Sequence, residues 1–208
     1  MQASEVIARF ESPSRLYSRS EVVGRSSVAP STSGIYGWYF DEMPAELAFR
    51  SEVATDGFRL LYVGIAPAGP SLEGRRQSTL RTRIRTHASG NADASTLRFT
   101  VGCLLSERLG IALMRTPSGR LRFGDGEAAL SDWLDEHARV CWVEMEAAWS
   151  VEGEVVRGLD LPLNRSHNAA HPFYPILGEI RARERKRGLG DATPTHETGL
   201  VAGLETKD

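Results

Sequence analysis

Five residues whose types suit chemistry at a phosphate stand at separate points of this sequence. Tyr36 occurs in the run GIYGWYF, and Tyr62 occurs in LLYVGIA. Arg83 and His87 lie four residues apart, and Glu152 stands just before an apolar segment. A carboxylate can hold a hard cation, an arginine can bind phosphate through two parallel hydrogen bonds, and histidine or tyrosine can exchange protons. Each of these chemistries depends on the elements that position the side chains.

The four-residue spacing of Arg83 and His87 places both on one face of a predicted helix, TLRTRIRTHASG, which Thr79 can cap and Gly90 can end. Arg83 can clamp a phosphate. His87 can relay a proton or hydrogen-bond the phosphate, because the pKa of histidine is ordinarily near neutrality. Without further context, a helix arginine is usually solvated and such a histidine is usually a surface or capping residue.

Glu152 is a hard oxygen donor on a predicted helix, and one carboxylate with water and phosphate oxygens is a plausible Mg²⁺ site. Val155 and Val156 follow it at three and four residues, so Glu152 lies beside the apolar face of that helix. Glu154 is the rival, about 200° away around the helix axis. Taken alone, a helix glutamate is more often a solvated residue.

Tyr36 and Tyr62 occur on two apolar strands that we expect to pair, and Tyr36 shares a strand face with Trp38. A strand tyrosine is usually a packed ring with its hydroxyl at the rim of the core. The glycines beside the two tyrosines, Gly34 and Gly64, permit close approach of backbone or substrate. The pair therefore suggests two hydroxyls directed at one cleft.

The elements that must position these residues form one predicted domain of the α/β (α+β) class. Strands are predicted at IYGWYF, RLLYVGIA and RVCWVEM, and a β-hairpin is predicted at ALMRTPSGRLRFGD. Residues 1–15 read as a short amphipathic helix or a loose arm. Further helices are predicted at 95–109, GEAALSDWLDEHAR, EAAWSVEGEVVRGLD and 176–187.

Composition favours a soluble globular protein without a membrane span. The chain has 208 residues, 41% hydrophobic and 25% charged, with a net charge of −2. No apolar signal core follows the N-terminus, which predicts a cytoplasmic location. Cys103 and Cys141 sit in apolar runs, as buried thiols of a reducing compartment do.

The basic residues are clustered, and all but two of the 25, Lys186 and Lys207, are arginine. The guanidinium fork suits phosphate, so two clusters are candidates for holding a nucleic-acid backbone. These nucleic-acid-binding candidates are Arg75, Arg76, Arg81, Arg85, Arg181, Arg183, Arg185 and Lys186. A solvated helix face is the simpler interpretation of the second cluster. His167 and His171 are expected to be structural or to face DNA.

Five pieces, in this order along the chain, resemble the GIY-YIG nuclease family. They are Gly34-Ile35-Tyr36, Tyr62-Val63-Gly64 with Val for the usual Ile, Arg83 with His87, Glu152, and Asn164 in LPLN. The resemblance departs from the family in the 25 residues between the two tyrosines and in the residues inserted after His87. None of these changes removes a residue of the motif set.

The resemblance implies a small, mostly antiparallel three-stranded sheet flanked by helices, with inserted helices and a hairpin and a C-terminal helix. It also divides the chain into segments: an N-terminal arm at 1–33, the nuclease-like domain at 34–164 with insertions at about 41–57 and 95–137, an extension with a basic helix at 165–187, and a disordered tail at 188–208.

The resemblance also assigns roles. Tyr36 would help to activate the attacking water, Tyr62 would orient water or phosphate, and Asn164 would lock the site. Arg83 and His87 would act on the phosphate and its protons. Glu152 would bind Mg²⁺ or Mn²⁺.

The expected function is a metal-dependent endonuclease that hydrolyses DNA, double-stranded DNA being favoured, in restriction, defence or repair, and a homodimer is possible. The alternatives are a catalytically weak nucleic-acid- or partner-binding module on the same fold, an RNA nuclease, and a small-molecule phosphodiesterase.

Overall fold

An antiparallel sheet forms the centre of the protein. The computed structural model describes residues 1–43, 47, 54–70 and 77–190. The strands are β1 (Gly34–Phe40), β2 (Ala54–Thr55), β3 (Phe58–Ala66), β4 (Met114–Arg115), β5 (Leu121–Arg122) and β6 (Ala138–Glu144). The main sheet has the order β2-β3-β1-β6, while β4 and β5 form a separate hairpin. The predicted α+β fold is confirmed, with β2 as a two-residue addition to the expected three strands.

Helices flank the sheet. They are α1 (Ala3–Glu11), α2 (Arg19–Val22), α3 (Leu80–Ser89), α4 (Thr96–Leu104), α5 (Ser106–Leu109), α6 (Gly126–His137), α7 (Glu152–Gly158) and α8 (Tyr174–Gly190). No helix within the described ranges is long and apolar enough to cross a membrane.

The central strand β1 is buried along its whole length, as its aromatic and β-branched side chains favour. It pairs antiparallel with β3 on one side and with β6 on the other. Its alternate residues serve two separate cores. Tyr36 and Trp38 face one core, and Ile35 and Tyr39 face the other, as the alternation along the strand predicts.

Each core has its own helices. On the face of Tyr36, apolar residues of α3, α4, α6 and α8 pack together. On the opposite face, α1 and α7 cover the sheet, with Val6 and Phe10 from α1 beside Val155 and Val156 from α7. The segment predicted at 1–15 is therefore a packed helix rather than a loose arm, because Val6 and Phe10 are fully buried.

Helix α3 begins and ends where the sequence predicts. The Thr79 side chain accepts the backbone N–H of Thr82, and Gly90 follows the last turn. Leu80 and Ile84 are fully buried against the sheet. Because Leu80 and Ile84 are packed against the sheet, the directions of the other side chains of α3 are fixed.

Two boundaries differ from those predicted. The segment before α7 is a short 3-10 turn, Ala148–Ser150, so the α-helix starts only at Glu152. The basic helix α8 continues to Gly190, past the predicted start of the tail at 188. The rest of the predicted tail, and most of the predicted insertion at 41–57, lie outside the described residues. The predicted hairpin and the two buried free cysteines are confirmed.

Candidate active site

The Tyr36 hydroxyl is buried beneath α3 and bonds to the histidine of that helix. Tyr36 is 1% exposed, and its Oη lies 2.7 Å from Nε2 of His87. The other ring nitrogen of His87, Nδ1, lies 2.7 Å from Oγ of Ser95. Ser95 also caps α4, since its Oγ accepts the backbone N–H of Arg98. Both nitrogens of His87 are thus engaged inside the protein, which leaves neither open to a phosphate.

The glycine of the second motif makes room for the Tyr36 ring. Gly64 lies directly opposite Tyr36 in the β1–β3 register. A Cβ at residue 64 would stand 2.5 Å from Oη of Tyr36 and 2.7 Å from its Cζ. At Gly34, a Cβ would collide with the backbone carbonyl of Val143 in β6 and with the Leu80 side chain. Both motif glycines are therefore required by close contacts.

Regular pairing between β1 and β3 places Tyr62 on the face of Tyr36. Tyr36 pairs with Gly64 and Trp38 pairs with Tyr62, so Tyr62 lies on the same face as Tyr36. The next residue, Tyr39, pairs with Leu60, so Leu61 is the extra residue of a β-bulge beside Tyr62. Both rings pack around His87, with ring centroids 5.4 Å from Tyr36 and 5.8 Å from Tyr62. The two tyrosines and the histidine therefore meet at one point of the fold.

Arg83 and Glu152 act on both tyrosines from different helices. Burial raises the pKa of Tyr36 to about 12, and it also raises the pKa of Tyr62. The half-buried Arg83 opposes this, since its positive charge lowers both pKa values. The negative charge of Glu152 raises both. Four residues from β1, β3, α3 and α7 thus form one electrostatic unit.

Glu152, rather than Glu154, belongs to this unit. Its side chain is 20% exposed, whereas Glu154 is exposed on another face of α7. Burial raises the pKa of Glu152, and the charge of His167 acts against that rise. Nε2 of His167 lies 3.8 Å from Oε2 of Glu152. A partly desolvated carboxylate of this kind is stabilised by a cation.

The residues present fit a divalent cation held by a single carboxylate. Within the described part of the chain, no group of three or more His, Cys, Asp or Glu side chains could hold a metal ion. Mg²⁺ does not need such a cage, because it keeps several waters and binds through one or two carboxylates and phosphate oxygens. Glu152 would supply the carboxylate, and its charge and that of Arg83 both act on Tyr36 and Tyr62.

Asn164 holds β3 rather than a ligand. Its Oδ1 accepts the N–H of Val63 at 2.9 Å, and its Nδ2 donates to the Val63 carbonyl at 2.8 Å. Leu163 adds a backbone hydrogen bond to Leu61. The carboxamide therefore replaces a neighbouring strand along the outer edge of β3 and fixes the residue next to Tyr62. This pair of hydrogen bonds is one way in which Asn164 could lock the site, as the family resemblance implies.

The basic candidates divide into separate groups. Arg81 donates to the carbonyls of Ala29 at 2.6 Å and Ser27 at 3.2 Å, so it holds the loop before β1. Arg85 and Lys186 are exposed, and Arg183 is paired with the buried Glu184. Arg75 and Arg76 lie outside the described residues.

Three residues outside the expected catalytic and metal-binding set act on that set, although Arg181 was expected to bind nucleic acid and His167 to be structural or to face DNA. Ser95 binds His87, His167 faces Glu152, and the charge of Arg181 on α8 lowers the pKa of Tyr62. Ser95 had a signal, because a serine before an apolar periodic run is an N-cap. Nothing in the sequence connects Arg181 to Tyr62, since the two lie on elements far apart in the chain.

The comparisons with known proteins agree with this geometry. A family model described as the GIY-YIG catalytic domain matches residues 34–183. The chain belongs to the GIY-YIG nuclease family, whose members generally use divalent metals. The matched region extends past Asn164 into α8. No curated protein and no solved structure matches the chain.

Proposed function

We propose that this chain is an endonuclease that hydrolyses DNA phosphodiester bonds with Mg²⁺ or Mn²⁺, double-stranded DNA being the favoured substrate. The observation that carries the proposal is the packing of Tyr36 and Tyr62 around the buried His87, with the charges of Arg83 and Glu152 acting on both tyrosines. Restriction, defence or repair would be its setting. The two free buried cysteines support a cytoplasmic location. A homodimer would suit the cutting of both strands, and light scattering would detect it.

Arg83 is the residue that binds the scissile phosphate in this proposal. Its guanidinium is half-buried beside two neutral hydroxyls, so an anion there meets a positive charge in a partly desolvated setting. Two parallel N–H donors match two phosphoryl oxygens. Charge that develops on those oxygens in the transition state is stabilised without rearrangement of the site.

His87 orients Tyr36 rather than removing its proton. The pKa of His87 is lowered well below its ordinary value by burial and by the charges of Arg83 and Arg98. An imidazolium in this place is unfavourable, so full proton transfer from Tyr36 to His87 is disfavoured. The hydrogen bond at 2.7 Å remains, and it fixes where the Tyr36 hydroxyl points. The roles expected for His87 were proton relay and a hydrogen bond to phosphate; the proposal instead gives it the positioning of the Tyr36 hydroxyl.

The neutral tautomer of His87 determines whether the Tyr36 hydroxyl accepts or donates a hydrogen bond in the cleft. With the proton on Nδ1, His87 donates to Ser95 and accepts a hydrogen bond from the Tyr36 hydroxyl, so the free lone pairs of Oη can accept a hydrogen bond from water. With the proton on Nε2, His87 donates to Tyr36, and the tyrosine proton is free to point into the cleft. Tyr36 would align the attacking water in the first state and donate to phosphate in the second.

Glu152 would hold the cation, with His167 beside it. When bound, a divalent cation supplies Lewis-acid stabilisation of the phosphoryl oxygens and a lowered pKa for water. Tyr62, next to the Val63 backbone that Asn164 fixes, would orient water or phosphate at the same point. Hydrolysis in this arrangement is a single displacement at phosphorus by water, without a covalent intermediate.

A substrate panel tests the proposal. Purified protein would be incubated with supercoiled plasmid, single-stranded RNA and a small-molecule phosphodiester, each with Mg²⁺, with Mn²⁺ and with chelator. We expect nicked or linear plasmid that appears only with metal. Cleavage of RNA alone would indicate an RNA nuclease, and cleavage of the small diester alone would indicate a small-molecule phosphodiesterase. Binding of DNA without any cleavage would support the binding-module alternative.

A further inference from the structure

Two arginines of α8 stack on one aromatic ring of α4. The guanidinium carbons of Arg181 and Arg185 lie 4.8 Å and 4.6 Å from the ring centroid of Phe99. Each contact is a favourable cation–π interaction. The ring nevertheless gathers two like charges at one place, where they repel each other.

No carboxylate among the described residues forms an ion pair with Arg181 or Arg185. The neighbouring arginines on the same helix differ, because Arg183 and Arg187 bind Glu184 at 3.2 Å. In the described structure, Nη1 of Arg181 is also buried without a hydrogen-bond partner. A buried guanidinium N–H without an acceptor is unfavourable.

The electrostatics of this pair favour an anion. The pKa of Arg181 is lowered to about 10, first by burial and then by the positive charges of Arg185 and Arg165. Arg165, whose guanidinium lies over the ring of Tyr174 at 4.1 Å, adds to the repulsion through its own positive charge. A negative group between the two α8 arginines would remove this unfavourable interaction.

The space for such a group exists. Arg181, Arg185 and Phe99 line an open pocket of about 430 Å³ between α4, α8 and the β4–β5 hairpin. The far wall carries Arg120, which is paired with Asp93 at 3.1 Å. The pocket therefore presents its unpaired positive charges on the α8 side.

A charged residue that lines the pocket also interacts electrostatically with the candidate active site. The positive charge of Arg181 lowers the pKa of Tyr62, which is the tyrosine of β3 that faces His87. Arg181 thus lines the pocket and also acts, through its charge, on a tyrosine of the candidate active site.

We propose that Arg181 and Arg185, stacked on Phe99, bind one backbone phosphate of the nucleic-acid strand that the proposed active site cleaves. The proposal rests on the proposed function, and it makes α8 part of the substrate site. It also separates these two arginines from Arg183 and Lys186, which do not take part. The chemical class of the ligand is a phosphodiester within a polymer.

The test compares Arg181→Gln, Arg185→Gln and the control Arg183→Gln. Binding of a fluorescein-labelled 20-base-pair duplex would be measured by anisotropy in chelator, which prevents cleavage, over a series of salt concentrations. We expect each of the first two variants to weaken binding about tenfold and to reduce the salt slope by about 0.9, the value for one lost phosphate contact. The control should stay within about twofold of wild type with an unchanged slope.

Several outcomes would overturn the proposal. Equal weakening by all three variants would indicate a general positive field in place of a phosphate site. Unchanged binding by Arg181→Gln and Arg185→Gln, with wild type still bound, would overturn this inference alone. Failure of wild type to bind any duplex would overturn the proposed function and this inference together. Because Arg185 is exposed, its variant tests the site even if Arg181→Gln fails to fold.

Inorganic phosphate distinguishes a polymer from a free anion. Inorganic phosphate at about 10 mM and constant ionic strength should displace only little of the bound duplex. Complete displacement of the duplex would show that the pocket is a site for free phosphate and would contradict the polymer assignment.

Discussion

Gly64→Ala is the substitution that most sharply isolates the geometry of Tyr36. The added Cβ would stand 2.5 Å from Oη, whereas ordinary van der Waals contact begins at 3.4 Å. The ring must therefore move by roughly 0.9 Å. A shift of that size is enough to stretch or misalign the 2.7 Å hydrogen bond to His87 beyond hydrogen-bond geometry.

The magnitude of the effect follows from that displacement. A shift of about 1 Å at a reacting group lowers a rate on the order of 10²-fold. Two buried polar atoms, Oη of Tyr36 and Nε2 of His87, also lose their partner, which costs about 1–3 kcal/mol each in the free energy of unfolding. We therefore expect slow cleavage in a folded but less stable protein.

The assay is the initial rate of plasmid cleavage with Mg²⁺, together with urea unfolding. Gly69→Ala is the matched control, because a Cβ there meets nothing within 4 Å. In a Tyr36→Phe background, Gly64→Ala should lower the rate no further, since both changes act through one hydroxyl. A Gly64→Ala rate within a few-fold of wild type would refute the reasoning.

Three further substitutions test other contacts. Ser95→Ala removes the partner of His87 and the cap of α4. It should destabilise the fold by about 2–3 kcal/mol and lower the cleavage rate about tenfold. Ser95→Thr should restore both stability and rate, and a Thr variant as impaired as the Ala variant would contradict the role of the hydroxyl. Asn164→Ala leaves both backbone groups of Val63 without partners, and urea unfolding should show a loss of about 3 kcal/mol; a loss under about 0.5 kcal/mol would contradict it. Burial raises the pKa of Glu152 above that of the unfolded chain, so the ionised carboxylate disfavours the folded state at neutral pH, and this effect disappears below the unfolded pKa. In chelator, Glu152→Gln should therefore melt at a higher temperature than wild type at pH 7, with the difference vanishing in acid; a lower melting temperature at pH 7 would show that the sign is wrong.

Features set by local geometry could be predicted from the sequence. The choice of Glu152 over Glu154 came from the valines three and four residues on, because helix geometry alone decides which residues share a face. The Thr79 cap and the common face of Tyr36 and Trp38 are local in the same way. All of these depend on neighbours within one turn or one strand.

Contacts between distant segments could not be predicted. The bulge at Leu61 depends on how β3 pairs with β1, and no residue type in β3 predicts it. Arg81 looked like a nucleic-acid-binding residue, but the fold turns it towards the carbonyls of Ala29 and Ser27. Phe99, in a segment predicted to be an insertion, lies in the core and supports the arginines of α8.

The central claim is that Glu152 holds the cation that a nuclease site requires. The most direct measurement is the initial rate of plasmid cleavage by wild type, Glu152→Gln and Glu154→Gln with Mg²⁺ and with Mn²⁺. The account predicts a rate on the order of 10³-fold lower for Glu152→Gln and a rate within a few-fold of wild type for the exposed Glu154→Gln. Wild-type cleavage by Glu152→Gln, or its loss in Glu154→Gln, would contradict the account.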